Sequence, residues 1–148
     1  MTACQSGENQ LDLIEKDLLS YGIPITLQMP DSAQIKTMDW GTQKDITILS
    51  PTDWYSLQLF SSMATNHNMD AVKAEYLELA QENPYFQRVV SEDPDGFIYE
   101  LVIDSLTNYD FRHIKIQGDK EYVFQAGMYG TYTLDQIEQL YQISKSAK

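Results

Sequence analysis

A chain of 148 residues that is 43% hydrophobic and 22% charged has the composition of one folded domain, long enough to bury roughly 68–70% of its unfolded surface. Its net charge of −12 repels phosphate backbones, and Arg88 and Arg112 are its only guanidinium groups, which argues against a nucleic-acid partner. No apolar run approaches the roughly 18 residues of a membrane span, so no transmembrane helix is expected.

The chain opens Met1-Thr2-Ala3-Cys4 and continues through Gln5-Ser6-Gly7-Glu8-Asn9-Gln10, a polar stretch without hydrophobic periodicity. Residues 1–10 are therefore set apart from a domain spanning 11–148. Cys4 is the single cysteine, so no disulfide is expected, and no basic residue stands near it in sequence before Lys16 to activate the thiol. An aliphatic-like Met1, two small residues and a cysteine resemble the cleavage box of bacterial lipoproteins. The resemblance covers four residues and implies that Cys4 is acylated and tethers the domain to the cell-envelope membrane. Such a signal places its charged start and apolar run ahead of these residues. The plainer alternative is a free thiol on a cytoplasmic N-terminus.

Leu11, Ile14 and Leu18 fall at helical spacing, which predicts a short helix over Leu11–Ser20 ended by Tyr21-Gly22. Ile23, Ile25, Leu27 and Met29 then alternate with polar residues and Pro24, the pattern of a strand with one buried face. Pro24 lacks an amide hydrogen and places that strand at an edge or a start. Further strands are expected near Gln34–Trp40, Lys44–Leu49 and Trp54–Phe60, the last with Tyr55, Leu57 and Leu59 on one face. Asn68 or Asp70 can cap a helix whose apolar stripe is Val72, Tyr76, Leu79 and Ala80, with Glu75, Glu78 and Glu82 on the wet side. Asn83-Pro84 closes it.

Two hairpins follow. Phe86–Glu92 pairs with Phe97–Asp104 across Asp93-Pro94-Asp95-Gly96, and Tyr109–Gln117 pairs with Lys120–Ala126 across Gly118-Asp119, a loop of the II′ kind. Phe97–Ile103 is apolar on both parities, the mark of a strand covered on both faces. Thr133 and Gln136 form a capping box ahead of a last helix, with Tyr132 and Ile137 in the staple positions and Leu134, Ile137, Leu140 and Tyr141 facing inward.

The expected class is therefore α+β: a mainly antiparallel, twisted sheet of about seven or eight strands, in the order ββββ-α-ββββ-α, with two helices packed on it. That order resembles the sandwich family of the PsbP photosystem subunit and the nuclear-transport factor Mog1, without a supporting motif. The resemblance implies a small binding or assembly factor rather than an enzyme, in a family with lipid-anchored bacterial members.

Motifs that carry chemistry are few. His67 and His113 have no cysteine or second histidine at ligand spacing, and Glu92-Asp93-Pro94-Asp95-Gly96 lacks the spacing of a calcium loop. No metal site is expected. The glycine loops that cradle phosphate and the Gly-x-Ser-x-Gly elbow are absent, so neither a cofactor nor a catalytic residue is assigned. Gly127 and Gly130 read as connection geometry. Carboxylate pairs such as Glu100 and Asp104 read as solvated. The aromatic residues remain: most fit a core, but Trp40, Trp54 and Tyr129, with Tyr85 and Tyr132 near loops, are candidate partner-binding rings. The expectation is a non-catalytic, envelope-associated binding or assembly domain. A cytoplasmic acidic chaperone or adaptor, and an enzyme whose residues converge from separate loops, remain as alternatives.

Overall fold

In the computed structural model, residues 11–128 and 130–148 are described, and Cys4 and Tyr129 lie outside them. Among the described residues, nine strands and two α-helices follow one another: β1 Ile14–Asp17, β2 Thr26–Met29, β3 Gln34–Asp39, β4 Gln43–Leu49, β5 Ser56–Met63, α1 Met69–Gln81, β6 Phe86–Asp93, β7 Gly96–Ile103, β8 Leu106–Gln117, β9 Lys120–Ala126 and α2 Leu134–Lys145. Seven of the strands make one antiparallel sheet in the order β3-β4-β5-β9-β8-β7-β6, and β1 and β2 form a separate two-stranded ribbon. The class is α+β, as the alternation and capping signals predict. None of the described helices is long and apolar enough to cross a membrane.

The first element differs from expectation. Leu11–Ser20 is not a helix: Ile14–Asp17 pairs antiparallel with Thr26–Met29, followed by a 3-10 turn at Leu19–Tyr21. A segment of about ten residues is marginal as an isolated helix, whereas the hairpin gives its backbone a partner close by in sequence. The Asp17 carboxylate accepts the Leu19 amide at 2.9 Å, and Gly22 takes the positive φ of 86° that turns the chain back. The strand expected from Ile23 begins only at Thr26, two residues beyond Pro24, although Ile23 and Ile25 already point into the core. Trp54 precedes β5 rather than opening it, and Trp40 falls just beyond β3.

Alternation divides the main sheet into two faces. One packs Ile46, Ile48, Leu57, Leu59, Phe111 and Phe124 against Ile137, Leu140 and Tyr141 of α2 and against the β1–β2 ribbon. The other packs Ile114 and Val123 on Val72, and Phe97, Tyr99 and Leu101 on Ala80, all beneath α1. Phe97, Tyr99 and Leu101 thus face α1 while Ile98 faces α2, so β7 is covered on both sides as its composition predicts. Leu79 departs from the expected stripe: it is 59% exposed, on the flank of α1 that overlooks the sheet beside it.

The turns and caps follow local chemistry. Asn68 accepts the Ala71 amide at 3.3 Å, and Thr133 and Gln136 complete the capping box at 3.1 and 3.0 Å. Gly118 adopts positive φ in the β8–β9 turn. A third tight hairpin joins β7 to β8 through Asp104 and Ser105, both at positive φ (52° and 68°), the pair that a type I′ turn requires.

Candidate functional site

Helix α1 lies over β7 and β8 and leaves the β4–β5 part of that face open. Register fixes what it presents. Asp45, Phe60 and Val123 form one row across β4, β5 and β9, and Thr47, Gln58 and Gln125 form the next. Two cavities sit on this surface. One, of about 450 Å³, is walled by Leu49, Trp54, Met128 and Tyr132 with Gln58 and Gln136. The other, of about 330 Å³, lies between the sheet and α1 and takes in Phe60, Leu79, Tyr99, Arg112 and Gln125. Gln58 and Gln125 oppose each other across the β5–β9 ladder, so the cavities adjoin at this glutamine pair.

Gln58 is the unusual residue. It is only 6% exposed, yet its amide has no hydrogen-bond partner among the described residues. The amide atoms themselves reach the cavity, so Gln58 offers it a carbonyl acceptor and an NH₂ donor that the fold does not use. Thr47 and Thr131, which share the cavity, also make no side-chain hydrogen bond to a described residue. The walls are apolar and the polar groups are neutral at physiological pH. Sites of this size and lining bind small amphipathic molecules.

The wall formed by residues 127–128 and 130–132 is fitted closely. The Tyr132 hydroxyl donates to the Gly127 carbonyl at 3.2 Å, and its amide donates to Asn108 at 2.7 Å. A Cβ on Gly127 would collide with Ser56, and one on Gly130 with the Tyr132 ring. These glycines serve close approach, in line with a connection rather than an anion loop. Burial pushes the Tyr132 hydroxyl above its ordinary pKa, which keeps it a neutral donor.

In the second cavity Arg112 is the single cationic residue. Its Nη1 donates to Asp110 at 3.1 Å and to the Phe111 carbonyl at 2.8 Å, and the guanidinium leans over the Tyr99 ring. Asp110 also accepts from the Phe111 and Ala126 amides at 2.8 and 3.1 Å and from the Tyr99 hydroxyl at 3.4 Å. Burial alone would lower the Arg112 pKa, but the neighbouring Asp110 outweighs it and holds the group charged. Tyr76, which lines this cavity, donates a hydrogen bond to Glu121, and the pKa of its hydroxyl is pushed up, first by burial and then by that carboxylate.

Of the candidate rings, Trp54 lines the larger cavity, with its indole Nε1 buried and without a partner among the described residues. Trp40 is 62% exposed at the opposite end of β4, where its Nε1 donates to Asp45 at 2.9 Å. The structure does not bring Trp40 and Trp54 together in one cavity. Tyr129 lies outside the described residues. Glu100 is tied to Arg88 at 2.7 Å.

Sequence reasoning missed Gln58, Gln125 and Arg112. A faint signal for the first two is present: each is a long polar side chain next to a large apolar one on the same strand parity, Gln58 beside Phe60 and Gln125 beside Val123. Arg112 carried no local signal.

A separate polar cluster lies under α2. His113 is 5% exposed between Phe124 and Tyr141, and its Nδ1 is 3.8 Å from Asp95 without a hydrogen bond to a described residue. Asp93 accepts from Tyr141 at 2.7 Å and from Lys145 at 3.0 Å. The acidic turn is thus engaged by an ammonium and a phenol. Among the described residues no three His, Cys, Asp or Glu side chains are placed to share a metal ion. The chain matches no protein-family model, and no curated protein is significantly similar to it.

Proposed function

We propose that this is a ligand-binding domain that holds a small amphipathic molecule on the open half of its sheet. The observation that carries the reading is the Trp54 indole N–H, buried without a partner among the described residues in a cavity it shares with Leu49, Gln58 and Tyr132. The lining groups hydrogen-bond but do not titrate near neutrality, which favours holding a ligand over moving protons. In a thermal-shift screen of small amphipathic compounds, a ligand present at about 100 times its Kd stabilises the native state by roughly 2.7 kcal/mol. Such hits raise the Tm of the parent protein and lose that effect in Trp54→Ala. Hits that stabilise both proteins equally place the ligand elsewhere and overturn the reading.

The domain's setting is a further part of the proposal. Support for a tether at Cys4 comes from the lipobox-like start, and support for a binding or assembly role from the element order shared with the PsbP and Mog1 sandwich. Fatty-acid labelling of the natively expressed protein, lost in Cys4→Ser, is the expected outcome; no incorporation removes the envelope location and favours a cytoplasmic one.

A further inference from the structure

The two adjoining cavities differ in one respect that selects among ligands. The larger holds no charged side chain in its lining, while the smaller has Arg112. A guanidinium offers five N–H donors. Asp110 and the Phe111 carbonyl are the acceptors it meets among the described residues, both at Nη1, which leaves Nε and Nη2 for a molecule in the cavity.

Asp110 does not cancel this donor. Its two oxygens also accept from the Phe111 and Ala126 amides and the Tyr99 hydroxyl, and it meets the guanidinium at Nη1 alone instead of filling the fork. The planar fork matches a carboxylate in two-point geometry, a match that a lysine ammonium does not supply.

We infer that the ligand is a small amphipathic carboxylate, with its apolar end against Trp54, its middle across the Gln58–Gln125 pair and its carboxylate on Arg112. The register supports the span. Gln58 and Gln125 are directly opposed on neighbouring strands, whose backbones lie about 4.8 Å apart, so the step from one cavity to the next is short. Both amides present a carbonyl acceptor and an NH₂ donor, the complement of an amide or hydroxyl in the middle of such a molecule. The remaining cation on this face, Lys36, stands on edge strand β3 opposite Thr47, on the far side of the glutamine pair from Arg112.

This inference rests on the cavity reading above, and the experiment separates the two. The full chain is titrated with dansylglycine and with dansylglycinamide, which share an apolar group and differ in the carboxylate, and dansyl emission is followed. The carboxylate is expected to bind at least about tenfold more tightly than the amide. Arg112→Gln brings the two probes to equal affinity while the amide binds as before, which also shows that the site is intact. Arg112→Lys recovers only part of the difference, and Lys36→Gln leaves it unchanged. Equal binding of both probes by the parent protein overturns the carboxylate assignment and leaves the cavity standing. Loss of discrimination in Lys36→Gln but not in Arg112→Gln also overturns it. Binding of neither probe overturns both readings. The first comparison uses the parent protein, so it holds even where an Arg112 variant fails to fold.

Discussion

Gln58 separates a structural from a ligand-holding role in one substitution. A buried amide that served the fold would be hydrogen-bonded to it, and its loss would cost about 1–3 kcal/mol. Here the described residues supply no partner, so Gln58→Leu is expected to be neutral or up to about 1 kcal/mol more stable in urea unfolding, while ligand affinity falls. A clear destabilisation assigns the amide to the fold instead. His113 makes a different prediction. Burial, the largest cause, holds its pKa below the ordinary value, with Asp95 opposing and Lys145 and Lys115 adding to the depression. The unfolded chain therefore takes up the proton first. Stability from the neutral imidazole is complete above about pH 6.5 and declines as pH falls through that unfolded value toward the lower folded one. The depressed Asp93 carboxyl, held down first by its bond from Tyr141, also loses its contribution on the acid side as pH falls through its folded pKa. His113→Gln should flatten the first part of the urea-midpoint profile; an unchanged profile assigns the acid loss to other groups.

At the scale of elements, what was readable depended on whether the determinant was local. The capping box at Thr133 and Gln136 and the Gly118-Asp119 turn are complete within a few residues, and both appear where the sequence placed them. The Asp104-Ser105 turn was missed because positive φ at both positions is unusual without glycine or asparagine. Leu11, Ile14 and Leu18 fit a helical stripe, and only the nearby strand at Thr26–Met29 decides for extended structure. Leu79 was assigned inward because periodicity gives the spacing of a face and not the width of the surface beneath it. Its exposure makes a testable contrast: Leu79→Gln should alter stability by less than about 0.5 kcal/mol, whereas Leu140→Ala in the core should cost roughly 2–5 kcal/mol in denaturant unfolding. A large loss at Leu79 would mean that α1 packs over the cavity rather than beside it.

The whole molecule is a sheet covered on one face by α2 and the β1–β2 ribbon, and on the other only in part by α1. The class followed from strand alternation and two helix signals, but the site did not. Gln58, Gln125, Arg112 and Trp54 come from three strands and a loop, and their convergence depends on which half of the sheet α1 leaves open. That is set by long-range packing of Val72 on Ile114 and Val123 and of Ala80 on the Phe97–Leu101 face. The net charge of −12 favours solubility and does not specify the ligand. The most direct measurement is a two-dimensional ¹H–¹⁵N NMR titration of the labelled full chain with dansylglycine. The expected result is a contiguous set of shifts at the Gln58 and Gln125 side-chain amides, the Trp54 indole and the Thr131 backbone, with little change at Trp40 or around His113. Shifts confined to the α2 face would contradict the account.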